Sequence, residues 1–264
     1  MNSATRLSII TLLALGVYAL SGCSGAKLRA NMTLEERMAA AMQLYQKKDY
    51  YEAKNQFRII TLSYSNSNLA DKAQFYLGEC HYGMKEYILA GSEYERLLKV
   101  YPNSEWVDDA KFKLGMSYFK LSPKYSLDQE YTNKAIREFQ EFLEEYHRSD
   151  LIKQVQEKLD ECRNKLAQKV YAAAEQYYKL KYYEAAIVYF NIILDQHYDS
   201  RFSPMAQYYL GECYRHIGKT GEALEAYQRL VDKYPDHPLV KKAKQRIPEV
   251  QAMAKAMAGA AEKP

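Results

Sequence analysis

Three times in this chain a leucine–glycine pair within an apolar run is followed by an alanine, an aromatic residue four positions later, and a closing tyrosine. The copies are Leu77-Gly78…Ala90…Tyr94…Tyr101-Pro102, Leu114-Gly115…Ala135…Phe139…Tyr146 and Leu210-Gly211…Ala223…Tyr227…Tyr234-Pro235. Each copy reads as a pair of antiparallel helices. Two helices cross closely where both carry small residues, so Gly78 and Ala90 mark a crossing. Tyr94 and Leu97 fill the space beside it, and Pro102 stops the second helix by removing a backbone donor. One such pair buries too little apolar surface to stand alone, so neighbouring pairs have to stack.

The pattern resembles the tetratricopeptide family, whose motif places Gly or Ala, Ala, an aromatic and Pro at these offsets within about 34 residues. Two weaker copies keep the phase. Repeat one opens on Thr33-Leu34-Glu35-Glu36, a capping box, with Met38, Ala41 and Leu44 on its first helix and Ala53, Phe57 and Ile60 on its second; Ala53 and Ala90 lie 37 residues apart. Repeat four is read from Ala173 paired with Ala185, Tyr189 and Ile192. Repeat three departs from the pattern, because Gly115 to Ala135 is 20 residues where Gly78 to Ala90 is 12, an insertion of 8 within Leu121 to Asn133. A loop inserted between the helices of a repeat emerges on one face and often carries binding.

No Gly or Pro occurs between Lys124 and Ser203, and Ile152, Val155, Leu159, Cys162, Leu166, Val170, Ala173 and Tyr177 follow steps of three and four. This spacing predicts one long helix from about Ser149 to Leu180. A last helix from Leu239 to about Ile247 covers the end of the stack, with Pro248 interrupting it. The expected fold is all-α: a solenoid of five helix-turn-helix repeats in which the long helix joins repeats one to three, residues 33–148, to repeats four and five, residues 149–238. Residues 239–264 form a capping helix and tail.

The amino terminus has a different character. Met1 to Arg6 carries one positive side chain, Leu7 to Leu20 is an apolar run, and Leu20-Ser21-Gly22-Cys23 follows. Fourteen apolar residues are short for a membrane span and fit a secretory signal. The Leu-Ser-Gly-Cys ending is that of a bacterial lipoprotein signal: residues 1–22 are cleaved, and the Cys23 thiol accepts a diacylglyceryl group, followed by acylation of its new amino group. Residues 23–32 then form a lipidated tether. Ser24, where an Asp would retain the protein at an inner membrane, is compatible with an outer one.

Composition narrows the function. The 37 basic and 33 acidic residues are mixed throughout, for a net charge of +4, and no basic block with interleaved aromatics points to nucleic acid. The 26 tyrosines suit a thin solenoid, where a ring is buried while its hydroxyl reaches water at the rim. Setting Cys23 aside leaves Cys80, Cys162 and Cys213, an odd number that argues against a disulfide framework. Cys80 and Cys213 share one repeat offset and read as small core residues. Cys213 and His216 share a helix face but lack a second ligand pair, so no metal site is expected. With no phosphate loop, nucleophile elbow or HExxH motif, the chain reads as non-enzymatic, with no cofactor beyond the lipid on Cys23.

The tetratricopeptide resemblance implies a concave groove lined by fixed positions of each first helix. Here these are Met38, Met42 and Tyr45, then Phe75, Glu79 and Tyr82, then Phe112, Met116 and Phe119, a surface rich in methionine and aromatic rings that suits an extended apolar peptide. A narrower resemblance rests on the inserted Leu127-Asp128-Gln129 with Lys134-Ala135-Ile136 and Phe139, on Ala174-Glu175-Gln176-Tyr177-Tyr178…Tyr183-Glu184-Ala185-Ala186, and on the lipoprotein signal. Together these features resemble the BamD family of outer-membrane assembly lipoproteins over Thr33 to Leu239. The resemblance implies a scaffold of the β-barrel assembly machinery, lipid-anchored in the outer membrane and facing the periplasm. Its carboxy-terminal repeats would dock on the periplasmic domains of a BamA-like insertase, and its amino-terminal repeats would engage unfolded barrel precursors. Ser65 and His147 replace repeat-closing prolines, and Tyr189 stands where relatives often carry a basic residue. The alternative is a repeat lipoprotein acting as a secretin pilotin or a cell-wall and division coordinator.

Overall fold

The computed structural model describes residues 32–261, and these form eleven α-helices. In chain order they are α1 (Leu34–Gln46), α2 (Tyr50–Ser63), α3 (Ala70–Gly83), α4 (Tyr87–Val100), α5 (Val107–Leu121), α6 (Glu130–Glu145), α7 (Ile152–Lys179), α8 (Tyr183–Gln196), α9 (Ser203–His216), α10 (Thr220–Lys233) and α11 (Leu239–Ala261). Helices α1 to α10 make five antiparallel pairs, each packed chiefly on its sequence neighbours. The core is therefore a row of five buried clusters.

Each pair closes on one contact. An added Cβ at Gly78 would stand 2.6 Å from the Tyr94 ring, at Gly115 2.5 Å from Phe139, and at Gly211 2.6 Å from Tyr227. The missing side chain makes room for the partner helix's ring, which sits against backbone instead of beside the crossing. Repeats one and four use Ala41 and Ala174 with Phe57 and Phe190, all fully buried. The assignment of repeat four from Ala173, Ala185, Tyr189 and Ile192 is thus one residue out of register: Ala174, Ala186, Phe190 and Ile193 are the fully buried set.

The turn inside four of the repeats is the same Schellman motif. Lys48, Lys85, Lys181 and Gly218 have φ of 62°, 63°, 63° and 77°. The next residue's N–H donates to the carbonyl five residues back, as Asp49 N–H does to Leu44 and Glu86 N–H to His81, both at 2.9 Å. Between repeats, a serine of one linker donates to an aspartate on the first helix of the preceding repeat: Ser104 Oγ to Asp71 at 2.6 Å and Ser149 Oγ to Asp108 at 2.7 Å. Thr33 and Glu36 form the expected capping box at the start of α1.

Helix α7, 28 residues long, belongs to two clusters. Val155, Leu159 and Cys162 pack with Phe139 and Phe142 of repeat three, whereas Ala167 and Ala174 pack with Phe190 and Ala206 of repeats four and five. At the carboxy terminus the expected interruption at Pro248 does not occur, and α11 runs through it to Ala261. Pro248 faces solvent, and Val250 beyond it is fully buried against the last repeat with Val240 and Ala243. Packing on both sides holds the helix across the missing hydrogen bond.

Two substitutions test this architecture by thermal and urea unfolding. Gly78→Leu is expected to destabilise by about 1–3 kcal/mol or more, because the Tyr94 ring already occupies the site; an unchanged unfolding curve would contradict the contact. Lys85→Gly is expected to stabilise by about 1 kcal/mol, because it relieves a left-handed residue that carries a Cβ.

Candidate functional site

The groove positions divide into two sets. Met38, Phe75 and Phe112 are buried, at 6%, 5% and 8% exposure. Phe75 stacks on Trp106 at 4.8 Å and Phe112 lies 6.2 Å from Phe139, so these rings pack within and between repeats. They do not line an open surface, a correction to their expected place in the groove. Met42, Tyr45, Glu79, Tyr82, Met116 and Phe119 are half-buried on the first helices α1, α3 and α5.

Glu79 organises that surface across three repeats. It accepts from Tyr94 Oη at 2.6 Å and Tyr45 Oη at 3.0 Å, and Lys113 Nζ approaches it at 2.8 Å. Tyr45 lies edge-on to Tyr50 and Tyr76. Lys113 also stands 5.0 Å over the Tyr82 ring. Burial, then the neighbouring Tyr87 and Glu79, push the Tyr82 phenol up to about 12, so it remains a neutral donor. Phe119 is covered by Lys158 and Lys165 of α7, at 5.2 and 5.6 Å. The result is a set of fixed rings with Met42 and Met116 at its side and its one central carboxylate neutralised from within. Such a surface offers flat apolar contact and phenol or ammonium donors; charge recognition by Glu79 is used up internally.

Lys113 and Tyr76 were missed in the sequence. A signal for the network was present, because Gly78-Glu79…Tyr94 recurs at equal spacing as Gly211-Glu212…Tyr227. At the second site Tyr227 Oη donates to Glu212 at 2.6 Å, and Arg215 and Arg246 reach the same carboxylate at 2.9 and 3.1 Å. Burial works to raise the Glu212 carboxyl, but the Tyr227 hydrogen bond and the two guanidinium groups outweigh it and hold it below its usual range. Cys213 is fully buried, its thiol pushed to about 12 by burial, while His216 stacks on Tyr183 at 4.5 Å. Among the described residues no group of three or more His, Cys, Asp or Glu is arranged to hold a metal ion.

The repeat-three insertion folds down on α7. Lys165 Nζ donates to Ser122 Oγ at 2.6 Å and Lys169 Nζ to the Leu127 carbonyl at 2.9 Å. Gln129 is buried: its amide donates to the carbonyls of Lys124, Leu127 and Asp128, and its carbonyl oxygen accepts from Thr132. Asp128 accepts the Glu130 N–H at the start of α6. Asp128 and Gln129 therefore shape the loop from within. The face the loop presents is a polar cleft of about 980 Å³ lined by Lys124, Tyr125, Glu157, Asp160, Lys165 and Arg201, among others. Cys23 lies outside the described residues.

A stack of five paired helices, each pair closed by a small residue against a ring, defines a tetratricopeptide-type solenoid. The chain belongs to the YfiO family of outer membrane lipoproteins, the BamD-like family, whose model matches residues 31–227. It is similar to the TPR2AB domain of yeast Sti1 in its pHSP90 complex, at 14% identity over 86% of each chain with a TM-score of 0.44. It is also similar to a thermophilic tetratricopeptide protein of Thermus thermophilus, at 14% identity over 83% of this chain and 98% of that one, with a TM-score of 0.35. No curated protein matches the chain.

Two expected outcomes follow from the site's electrostatics and loop. A carboxyl held low when folded contributes stability above its unfolded value and loses it as pH falls through the folded one. The Tm gap between the native chain and Glu212→Gln is therefore expected to be full at neutral pH and to close below about pH 4; a gap independent of pH would contradict the network. Gln129→Ala leaves three loop carbonyls without their donor. It is expected to cost about 1–3 kcal/mol and to speed amide exchange between Ser122 and Glu130.

Proposed function

We propose that this protein is a non-catalytic scaffold of the outer-membrane β-barrel assembly machinery. The family match over most of the helical body carries this reading, since that family consists of outer membrane lipoproteins. In the proposal Cys23 bears the lipid anchor and the solenoid faces the periplasm. The aromatic and methionine surface of α1, α3 and α5 engages extended segments of unfolded barrel precursors. Strands destined for a barrel alternate apolar and polar residues, and their apolar edge suits flat rings and thioethers at fixed spacing. The carboxy-terminal repeats dock on the periplasmic domains of an insertase. The exposed Leu180, Tyr182, Val188 and Tyr198 at and around α8 support a protein contact there.

Isolation of the lipidated protein from its host's membranes in mild detergent, with mass spectrometry of what accompanies it, tests the proposal. A large outer-membrane barrel with repeated periplasmic domains is expected in near-equal amount. A secretin or a cell-wall synthase in its place would move the function to the pilotin or cell-wall reading. Cys23→Ala is expected to give a folded, soluble periplasmic protein. A variant that still sediments with membranes in high salt would rule out lipid as the anchor.

A further inference from the structure

Helix α1 leads back to the residues that carry the proposed anchor, and where it starts decides which part of the solenoid lies nearest the membrane. Arg37 on α1 donates to Gln56 on α2 at 2.6 Å, so in this antiparallel pair the start of α1 lies beside the end of α2, near Leu62. Cys23 precedes Met32 by nine residues. A chain of that length reaches at most about 30 Å, so a lipid on Cys23 keeps this end of repeat one close to the bilayer surface whatever path the tether takes.

The surface at this end is unusual for a solvated edge. Leu62 is 65% exposed and Val100 53%. The Tyr101 hydroxyl donates to the Ser65 carbonyl at 3.0 Å, which joins the segment after α4 to the segment after α2 and puts Val100 on the same edge of the solenoid as Leu62 and the exposed Tyr64. Arg58, Arg96 and Lys99 are exposed around it and form no ion pair among the described residues. Exposed aliphatic and aromatic side chains ringed by unpaired basic groups are what an anionic bilayer surface takes up: the apolar groups enter the headgroup boundary and the cations meet phosphates.

We propose that the patch of Arg58, Leu62, Tyr64, Arg96, Lys99 and Val100 is a second membrane contact, seated on anionic phospholipid headgroups. This inference rests on the anchored reading above. The lipid holds the protein to the membrane, and the patch sets its orientation by laying the ends of repeats one and two on the surface. The solenoid then extends from the membrane at a fixed angle.

The test uses the full-length lipidated protein in vesicles of phosphatidylethanolamine and phosphatidylglycerol, with an environment-sensitive fluorophore on Ser63→Cys or, as a control, on Gln196→Cys at the end of α8. Cys80, Cys162 and Cys213 are fully buried and do not compete for the label. Spin-labelled lipid is expected to quench the probe at position 63 and to leave the probe at 196 bright. Changing Arg58, Arg96 and Lys99 together to Gln is expected to weaken the patch's hold on the surface by about 100-fold, at roughly fivefold per cation, and to abolish quenching at 63. Protein that floats with the vesicles while position 63 stays unquenched, or with 63 and 196 quenched alike, would overturn this inference and leave the anchor intact. Protein that does not float would overturn the anchored reading and this inference with it.

Discussion

The contact between a glycine on one helix and an aromatic ring on the next governs this molecule. At Gly78, Gly115 and Gly211 the ring lies where a Cβ would be, within 2.6 Å. That contact sets the distance between the helices of a pair, and the ring is fully buried as a result. Each ring also shares a buried cluster with the helix that follows its repeat, as Tyr94 does with Ala110 and Leu114 of α5, Phe139 with Val155 and Leu159 of α7, and Tyr227 with Val240 and Ala243 of α11. Close approach within a repeat and stacking between repeats are thus one structural event. Where the small residue is alanine, in repeats one and four, the ring is phenylalanine and the hydroxyl-to-glutamate bond is absent.

Polar groups then fix what packing leaves free. Serine-to-aspartate bonds join successive linkers to the preceding repeat, and the buried Lys111–Glu138 pair ties α5 to α6. Glu79 and Glu212 are buried or half-buried carboxylates made tolerable because each is met by a phenol and at least one cation. The Glu79 bonds link α1, α3, α4 and α5. In the proposed role, an extended chain laid on α1, α3 and α5 meets rings that these bonds already hold in place.

Much of this was legible in the sequence. The glycine, alanine and aromatic offsets reported the repeats, the eight-residue surplus located the insertion, and the glycine- and proline-free stretch revealed α7. Repeat four slipped by one residue because every key position there has a near-twin beside it: Ala173-Ala174, Ala185-Ala186, Tyr189-Phe190 and Ile192-Ile193. Only the left-handed turn at Lys181, in phase with those at Lys48 and Lys85, selects the frame, and backbone handedness is not written in a lysine. Pro248 was read as a stop because the local rule says so, whereas burial of Val250 in the tertiary core overrides it. Phe75 and Phe112 looked like groove residues by position, and Trp106 and Phe139 claim them by contact. The insertion's Asp128 and Gln129 stood out as unusual residues, yet their side chains turn inward to serve the loop.

Helix α7 carries a mechanical consequence. At about 1.5 Å per residue it is some 42 Å long, and its two halves are walls of different cores. A tilt imposed at repeat five is transmitted along this strut to repeat three with little loss, because no hinge residue interrupts it. Melting of either core would strip one wall from the other, so the array is expected to unzip from its ends and to resist parting in the middle. One continuous helix is thus a shared wall, and the stability of each half of the array is tied to that of the other.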